Sequence, residues 1–540
     1  MNTGIAIGTG AVPAVGRGLL TPARAAMLLI AVCAVIVSVW PLGLTSDYLN
    51  HLARNHIEAR IWFDPVLQQF YGLSFDVIPD LTMDMLVPWL SHLTGIYAAG
   101  ALAVWLAFIL PPLAGLLIAR NIHGHITWCS LAGFLVVFNE NMQWGFVNFV
   151  ASTGLALLGF AFWMRMDVRW IRSAVFAPFG IFLAFNHALG FLLFGYLILL
   201  WELASFIQGG RGTRWQFILQ LTSKDAVAMI PGLAVLALAT GGAQQLTHVG
   251  VTDFNLIQKV AALWSGTSFF NPLIGRLVTI AFIVAIFMGF RRGVLRIEPR
   301  MAFVCIGTLV LVLAMPTSIF GIWGLHFRYP AVLIVLVAAS VRLVPGMADR
   351  NIKTIAAIAS VLMIAAFANG AYQLAKTDAR TRELGAVVGQ LPVGARVLPA
   401  RHETADMAFA LHSAALAVIE RSAFVPNLFT NTSPVDVQPS IRALHMPQAW
   451  PLLDEQLEFA AELELPDAAN GHWSTRYFYG WPDHWDYMIY FRSAPDQRLV
   501  RDELCPIAEK PGVVLYGIGK ERCGGPVAYL VNAALRPTLD

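Results

Sequence analysis

The stretch AAMLLIAVCAVIVSVWPLGLTSDYLNHLARNHIEARIW, residues 25–62, decides how the rest of the chain is read. Its first half, 25–43, carries no charge and is long enough to cross the apolar layer of a bilayer as a helix. No small-x-small cleavage site follows before Asp47, so this run is expected to stay as a first membrane helix rather than leave as a signal peptide. The second half turns polar at once. Read as a helix, Asp47, His51, Arg54 and Glu58 fall at i, i+4, i+7 and i+11 on one face, and Leu49, Leu52, Ala53 and Ile57 lie mostly on the other. This predicts an amphipathic helix along the outer membrane surface with Asp47 at its start.

Moving outward from that stretch, the 540-residue chain is 57% hydrophobic and 13% charged. Soluble domains carry roughly 25% charged residues, so the composition is that of a protein with a large lipid-facing surface. Ten more apolar segments follow, near 97–119, 127–139, 144–164, 173–186, 188–205, 226–241, 277–290, 301–315, 329–344 and 354–371. The fold expected is a mainly α polytopic membrane domain of about eleven transmembrane helices, followed by a small α/β domain. The divisions are a cytoplasmic segment 1–24, a membrane domain 25–371 whose outer loop 44–96 carries amphipathic helices, and an extracytoplasmic domain 372–540. The short segments 127–139 and 173–186 end in polar clusters. They read as broken helices meeting at a wet cavity, or as re-entrant hairpins that would leave the sidedness unchanged, because lipid does not tolerate unpaired backbone.

Positive charge sets the sidedness. Arg17 and Arg24, Arg120, the Arg165–Arg172 group, Arg211, Arg214 and Lys224, the Arg291–Arg300 group, and Arg342, Arg350 and Lys353 all fall on one side. The other side, before the tail, has Arg54, Arg60, Lys259, Arg276 and Arg328. The expected protein is a multi-pass protein of a bacterial inner membrane, with its N-terminus cytoplasmic and its tail periplasmic. A net charge of +3 gives no footprint for nucleic acid, and no glycine-rich nucleotide fingerprint follows a predicted strand.

Polar groups gather where the outer ends of spans emerge. A second amphipathic piece, PDLTMDMLVPWLSHL, carries Asp80 and Asp84 at i, i+4. Asn139, Glu140, Asn141 and Gln143 follow in FNENMQWGFVNF, Asn186 and His187 in AFNHALGF, and His326 and Arg328 in GLHFRYP. Each is costly near membrane depth. Their convergence with Asp47, His51 and Arg54 on one face suits an anionic or polyhydroxylated substrate. Arg328 at the mouth of an apolar span either snorkels to the interface or grips a phosphate bidentately.

This layout resembles the GT-C glycosyltransferases, polytopic enzymes that use polyprenyl-phosphate-linked sugars as donors. The resemblance covers about 25–371. It rests on the acid Asp47 closing the first span, on the two amphipathic helices LNHLARNHIEARIW and DLTMDMLVPWLSHL in the first outer loop, and on the short apolar hairpins that follow. It implies that Asp47 is the general base for an acceptor hydroxyl. It also implies that Arg328, assisted by His326, stabilises the departing phosphate, and that His51 orients Asp47 or binds sugar hydroxyls. The implied substrate-binding residues are His51, Arg54, Glu140, His187, His326 and Arg328. The implied partners are a polyprenyl-phosphate-linked sugar donor, a lipid or glycan acceptor, and membrane lipids. Many members show paired acids in this loop, whereas Ser46-Asp47-Tyr48 offers one. That argues against a divalent metal, and no cofactor is assigned. A transporter or flippase of a lipid-linked intermediate, and a non-catalytic envelope-assembly scaffold, are the alternative readings. A transporter should show internal repeats and mid-span charges, and the sequence has neither in convincing form.

In the tail, ARVLPA, YMIYF and VVLYGI read as buried strands, and TADMAFALHSAALAVIE and LLDEQLEFAAEL as helices. GHWSTRYFYGWPDHWDY, with Trp473, Tyr477, Trp481 and Trp485, reads as core packing or a sugar-stacking surface. Asn431-Thr432-Ser433 matches a glycosylation sequon by pattern alone. Cys33, Cys129 and Cys305 sit in or beside apolar segments, whereas Cys505 and Cys523 are a disulfide candidate if the tail lies in an oxidising compartment.

Overall fold

The computed structural model describes residues 21–74, 76–166, 169–209, 226–239, 255–268, 270–319, 322–344, 349–430, 434–447, 449–465 and 477–523. Arg17, Arg211, Arg214, Lys224, the sequon at 431–433 and Trp473 lie outside the described residues, as do the side chains of Arg169, Arg350, Lys353 and Cys523. In chain order the longer helices are α1 (Pro22–Val39), α2 (Asp47–Arg60), α3 (Thr82–Thr94), α4 (Ile96–His123), α5 (Val147–Trp163), α6 (Arg169–Asn186), α7 (Ala188–Gly209), α8 (Ala226–Leu238), α9 (Pro272–Arg291), α10 (Pro299–Ala314), α11 (Pro330–Ser340) and α12 (Asp349–Val388). The tail adds α13 (Met407–Ser413) and α14 (Leu416–Arg421).

Among the described residues, α1, α4, α7, α9 and the Ala357–Val388 part of α12 are long and apolar enough to cross a membrane; α5, α6, α8, α10 and α11 contribute shorter apolar helices. Three of the apolar helices start by one device, a capping side chain followed by proline: Thr21-Pro22, Asn271-Pro272 and Glu298-Pro299. The cap satisfies an orphan backbone N–H, and proline at the first helical position loses nothing because its missing N–H had no partner to give up. α9 turns Leu273, Leu277, Ile280, Ile283, Val284 and Phe287 outward. In water that surface would be a liability for aggregation; against lipid tails it is at home.

The structure departs from the sequence reading in four places. The segment at 127–139 is a 3-10 helix of 8 residues, Cys129–Val136, packed against α4 and α11. The division expected near 371 lies inside α12, which runs 40 residues without interruption from Asp349 to Val388. The stretch 404–420 is split into α13 and α14, and 452–463 opens with a two-residue strand before a 3-10 turn and the short helix Leu457–Ala461. The fourth departure concerns α2. Its polar face is not wet: Asn50, His51, Arg54 and Asn55 are buried together with Leu49, Leu52 and Ala53.

The tail explains that burial. Its five-stranded sheet runs in the order Leu504–Lys510, Val513–Ile518, Tyr487–Phe491, Val397–Arg401, Leu452–Leu453. The first three strands are antiparallel, and Val397–Arg401 is parallel to both of its neighbours. α13 and α14 pack on α2. Ala53, Ile57 and Ile61 belong to the tail's hydrophobic core, whereas Tyr48, Leu49 and Leu52 belong to the membrane core. Tyr71–Leu73 of the first outer loop pairs with Val435–Val437 of the tail. α2 is therefore an internal beam clamped between the two cores.

Candidate functional site

The turn that delivers Asp47 is pinned from three sides. The Leu42 N–H donates to Asp378 Oδ1 at 2.9 Å and Thr381 Oγ donates to the Leu42 carbonyl at 3.3 Å, tying the turn to α12. Thr45 Oγ donates to the Gln143 carbonyl at 2.7 Å, and the Asp47 N–H donates to the Trp144 carbonyl at 3.2 Å. Between these contacts Gly145, at φ +78°, lies so close to the Thr45–Tyr48 backbone that a Cβ would collide with it. Only glycine supplies both the left-handed conformation and the clearance. Ser46 is held at φ +50°, a strained conformation for a residue with a side chain, of the order of 1–3 kcal/mol. Its hydroxyl donates to Asp47 Oδ1 at 3.1 Å.

Asp47 opens α2 with its side chain 19% exposed. Burial pushes its carboxyl up to about 7, against the opposing influence of the Ser46 hydroxyl and of the Arg328 and Arg54 charges. His51 follows one turn later, buried, its ring edge-on to Phe429 at 5.6 Å; its Nδ1 has no hydrogen-bond partner among the described residues. Burial, followed by the neighbouring Arg54, His412 and His187, keeps this imidazole neutral.

Arg54 is committed elsewhere. It is fully buried and forms a bidentate ion pair with Asp84, Nε to Oδ1 at 2.8 Å and NH2 to Oδ2 at 2.5 Å, and it also donates to the Asp80 carbonyl. This pair locks α2 onto α3. Glu58 stands beside it, its carboxyl raised well above the usual range by burial and by Asp84.

Arg328 approaches from the membrane side, where the 3-10 turn Leu325–Phe327 feeds α11. It is 8% exposed and stacks over Phe146 at 4.1 Å and Phe149 at 5.0 Å. One NH2 contact to the Trp323 carbonyl at 3.4 Å is its side-chain hydrogen bond, and its Nε has no partner among the described residues. No carboxylate is within ion-pair distance of it among those residues, although Asp47 and Asp80 are close enough for their charges to be felt. A buried guanidinium surrounded by aromatic faces and short of acceptors has the chemistry to take an anion.

Asp80 and His187 complete the cluster. Asp80 lies just ahead of α3 rather than on it, and its carboxyl feels the charges of Arg54, Asp84 and Arg328. Burial raises it to about 7, and its Oδ1 has no hydrogen-bond partner among the described residues. His187 Nε2 is 4.0 Å from that oxygen, while its Nδ1 accepts from the Leu189 N–H at 3.1 Å. Two further residues singled out in the sequence stand apart. Glu140 begins the short helix Glu140–Gln143, where Trp144 donates to its carboxyl, and shows no electrostatic link to Asp47 or Arg328. His326 faces Thr317 and Lys259.

Sequence reasoning missed two members. Asp80 was visible, but the i, i+4 spacing suggested a shared face with Asp84. His412, on α13 of the tail, is buried with Nε2 at 3.7 Å from Asp47 Oδ1. A lone histidine in an apolar helix gives no signal of such a contact. Among the described residues no group of three or more His, Cys, Asp or Glu side chains could hold a metal ion. Cys505 is disulfide-bonded, whereas Cys33, Cys129 and Cys305 are free thiols.

No family model and no curated protein matches the chain. Solved structures of ArnT from Cupriavidus metallidurans are similar over 92% of this chain. The form bound to undecaprenyl phosphate has 12% identity, a TM-score of 0.47 and 99% of its own length covered; the apo form has 13% identity, a TM-score of 0.49 and 98% covered.

Proposed function

We propose that this protein is a membrane glycosyltransferase. It moves a sugar from a polyprenyl-phosphate donor to an envelope glycolipid or glycan acceptor at the outer face of the membrane. The observation that carries this reading is Arg328, a buried guanidinium without an ion-pair partner among the described residues, within electrostatic reach of an under-solvated carboxyl, Asp47. The donor phosphate sits against Arg328 and its isoprenoid tail lies among the apolar helices. The acceptor hydroxyl attacks the anomeric carbon while Asp47 takes its proton. The bond from that carbon to the phosphate oxygen breaks, and the electron pair leaves on the phosphate, where the guanidinium stabilises it. The products are the glycosylated acceptor and polyprenyl phosphate, and Asp47 returns its proton to water.

The pH dependence tests this assignment. A base must be ionised to work, and the Asp47 carboxyl titrates at about 7. kcat/KM should therefore fall about tenfold per pH unit below that value and level off above it. The measurement is a rate profile of the nanodisc-embedded protein with a polyprenyl-phosphate sugar across neutral pH. A flat profile through this range removes Asp47 as the base.

A further inference from the structure

The C-terminal domain brings the His412 side chain to Asp47, and the hydrogen bonds around it settle where its proton sits. On α2, Asn50 Oδ1 accepts from the Phe429 N–H at 2.8 Å, which fixes the amide orientation. Asn50 Nδ2 is then the donor end; it donates to the Asn427 carbonyl at 2.9 Å and faces His412 Nδ1 at 3.1 Å. The Asn427 amide agrees: its Nδ2 donates to the Leu411 and Ala449 carbonyls at 2.8 and 3.2 Å and lies 3.5 Å from the same Nδ1. Asn427 spends both amide hydrogens on those carbonyls, so the donor to the ring is the second Asn50 N–H, and a ring nitrogen facing an N–H must present its lone pair. The proton of the neutral imidazole is on Nε2, the atom 3.7 Å from Asp47 Oδ1. The ring cannot easily turn away, because it is buried and packs edge-on against Phe429 at 4.7 Å.

We infer that His412, carried by the C-terminal domain, is a positioning residue for Asp47: its Nε2–H, fixed by Asn50, faces the carboxylate and steadies it for proton abstraction. The inference rests on the reading of Asp47 as the base and extends it by giving the soluble domain a part in the site. The charged and titratable groups around Asp47 are His51 and Arg54 on its own helix, Arg328 from the membrane side and His412 from the tail, with Asp80 and His187 beyond Arg328. Burial pushes the His412 imidazole down to about 3, so it remains a neutral donor through the range in which Asp47 titrates.

The test uses the full chain in nanodiscs. Infrared difference spectra, with Asp47→Asn as the reference, follow protonation of Asp47 without any substrate. His412→Phe keeps the ring packing but removes the donor, so the Asp47 midpoint should rise by about one pH unit. His412→Gln, which carries an amide N–H where Nε2 stood, should bring it back toward wild type. In cells, His412→Phe should lower product formation roughly tenfold at matched expression, and His412→Gln should recover most of it. Nitrogen-15 histidine spectra of the unmutated protein give a reading that no misfolded variant can confuse. The signal lost in His412→Gln should report a protonated Nε2. A protonated Nδ1, or a His412→Phe midpoint equal to wild type, overturns the inference. A product left intact by Asp47→Asn instead overturns the underlying base assignment.

Discussion

Asp47→Asn should lower the rate of sugar transfer by roughly 10²–10⁴-fold, the usual contribution of a positioned base. Its effect on stability should be small. The amide keeps the volume of the carboxyl and can still accept from the Ser46 hydroxyl. It also relieves the cost of a charge in a buried place, since burial alone accounts for the raised titration of this group. The sign follows from linkage: a carboxyl whose folded-state value is raised destabilises the fold above its unfolded value, so removing the charge there is neutral or favourable. The measurement is kcat with thermal unfolding of the same purified samples. Equal loss of both properties would mean that the change had damaged the fold rather than the chemistry.

Arg54→Met should have the largest effect on stability. It leaves Asp84 buried opposite an apolar chain, beside Glu58 and the Asp80 carbonyl, with its bidentate partner gone. Breaking one side of a buried ion pair costs about 3–5 kcal/mol. Pairing the change with Asp84→Leu removes the stranded charge and should recover most of that loss. Unfolding midpoints of the single and double variants in the same detergent decide the matter. If the single variant matches wild type, the Arg54–Asp84 pair does not hold α2 on α3.

The residues show which parts of this arrangement were legible in advance. Periodicity put Asp47, His51 and Arg54 on one face of a helix, and α2 has that face. It could not show what would cover the face, because Asp84 comes from the next helix and residues 412, 427 and 429 lie more than 350 positions away. Short continuous apolar runs marked the buried strands Tyr487–Phe491 and Val513–Ile518 within the stretches expected. The fall in hydropathy near 371 was read as a domain boundary. A helix, however, is ended by its backbone and not by its polarity: no proline occurs between 346 and 391, so α12 continues out of the apolar region and stops only before Pro392. Asp80 was misjudged for a related reason. Spacing of i, i+4 matters only if both residues are on the helix, and α3 begins at Thr82.

The most direct test of the site as a sugar-transfer centre compares envelope glycolipids and glycans by mass spectrometry. The cells compared lack this protein and are complemented with wild type or with Asp47→Asn at matched expression. The expected result is the loss of one sugar mass from a defined glycolipid or glycan, restored by wild type and not by the variant. Full restoration by Asp47→Asn, or no glycan change on deletion, would contradict it.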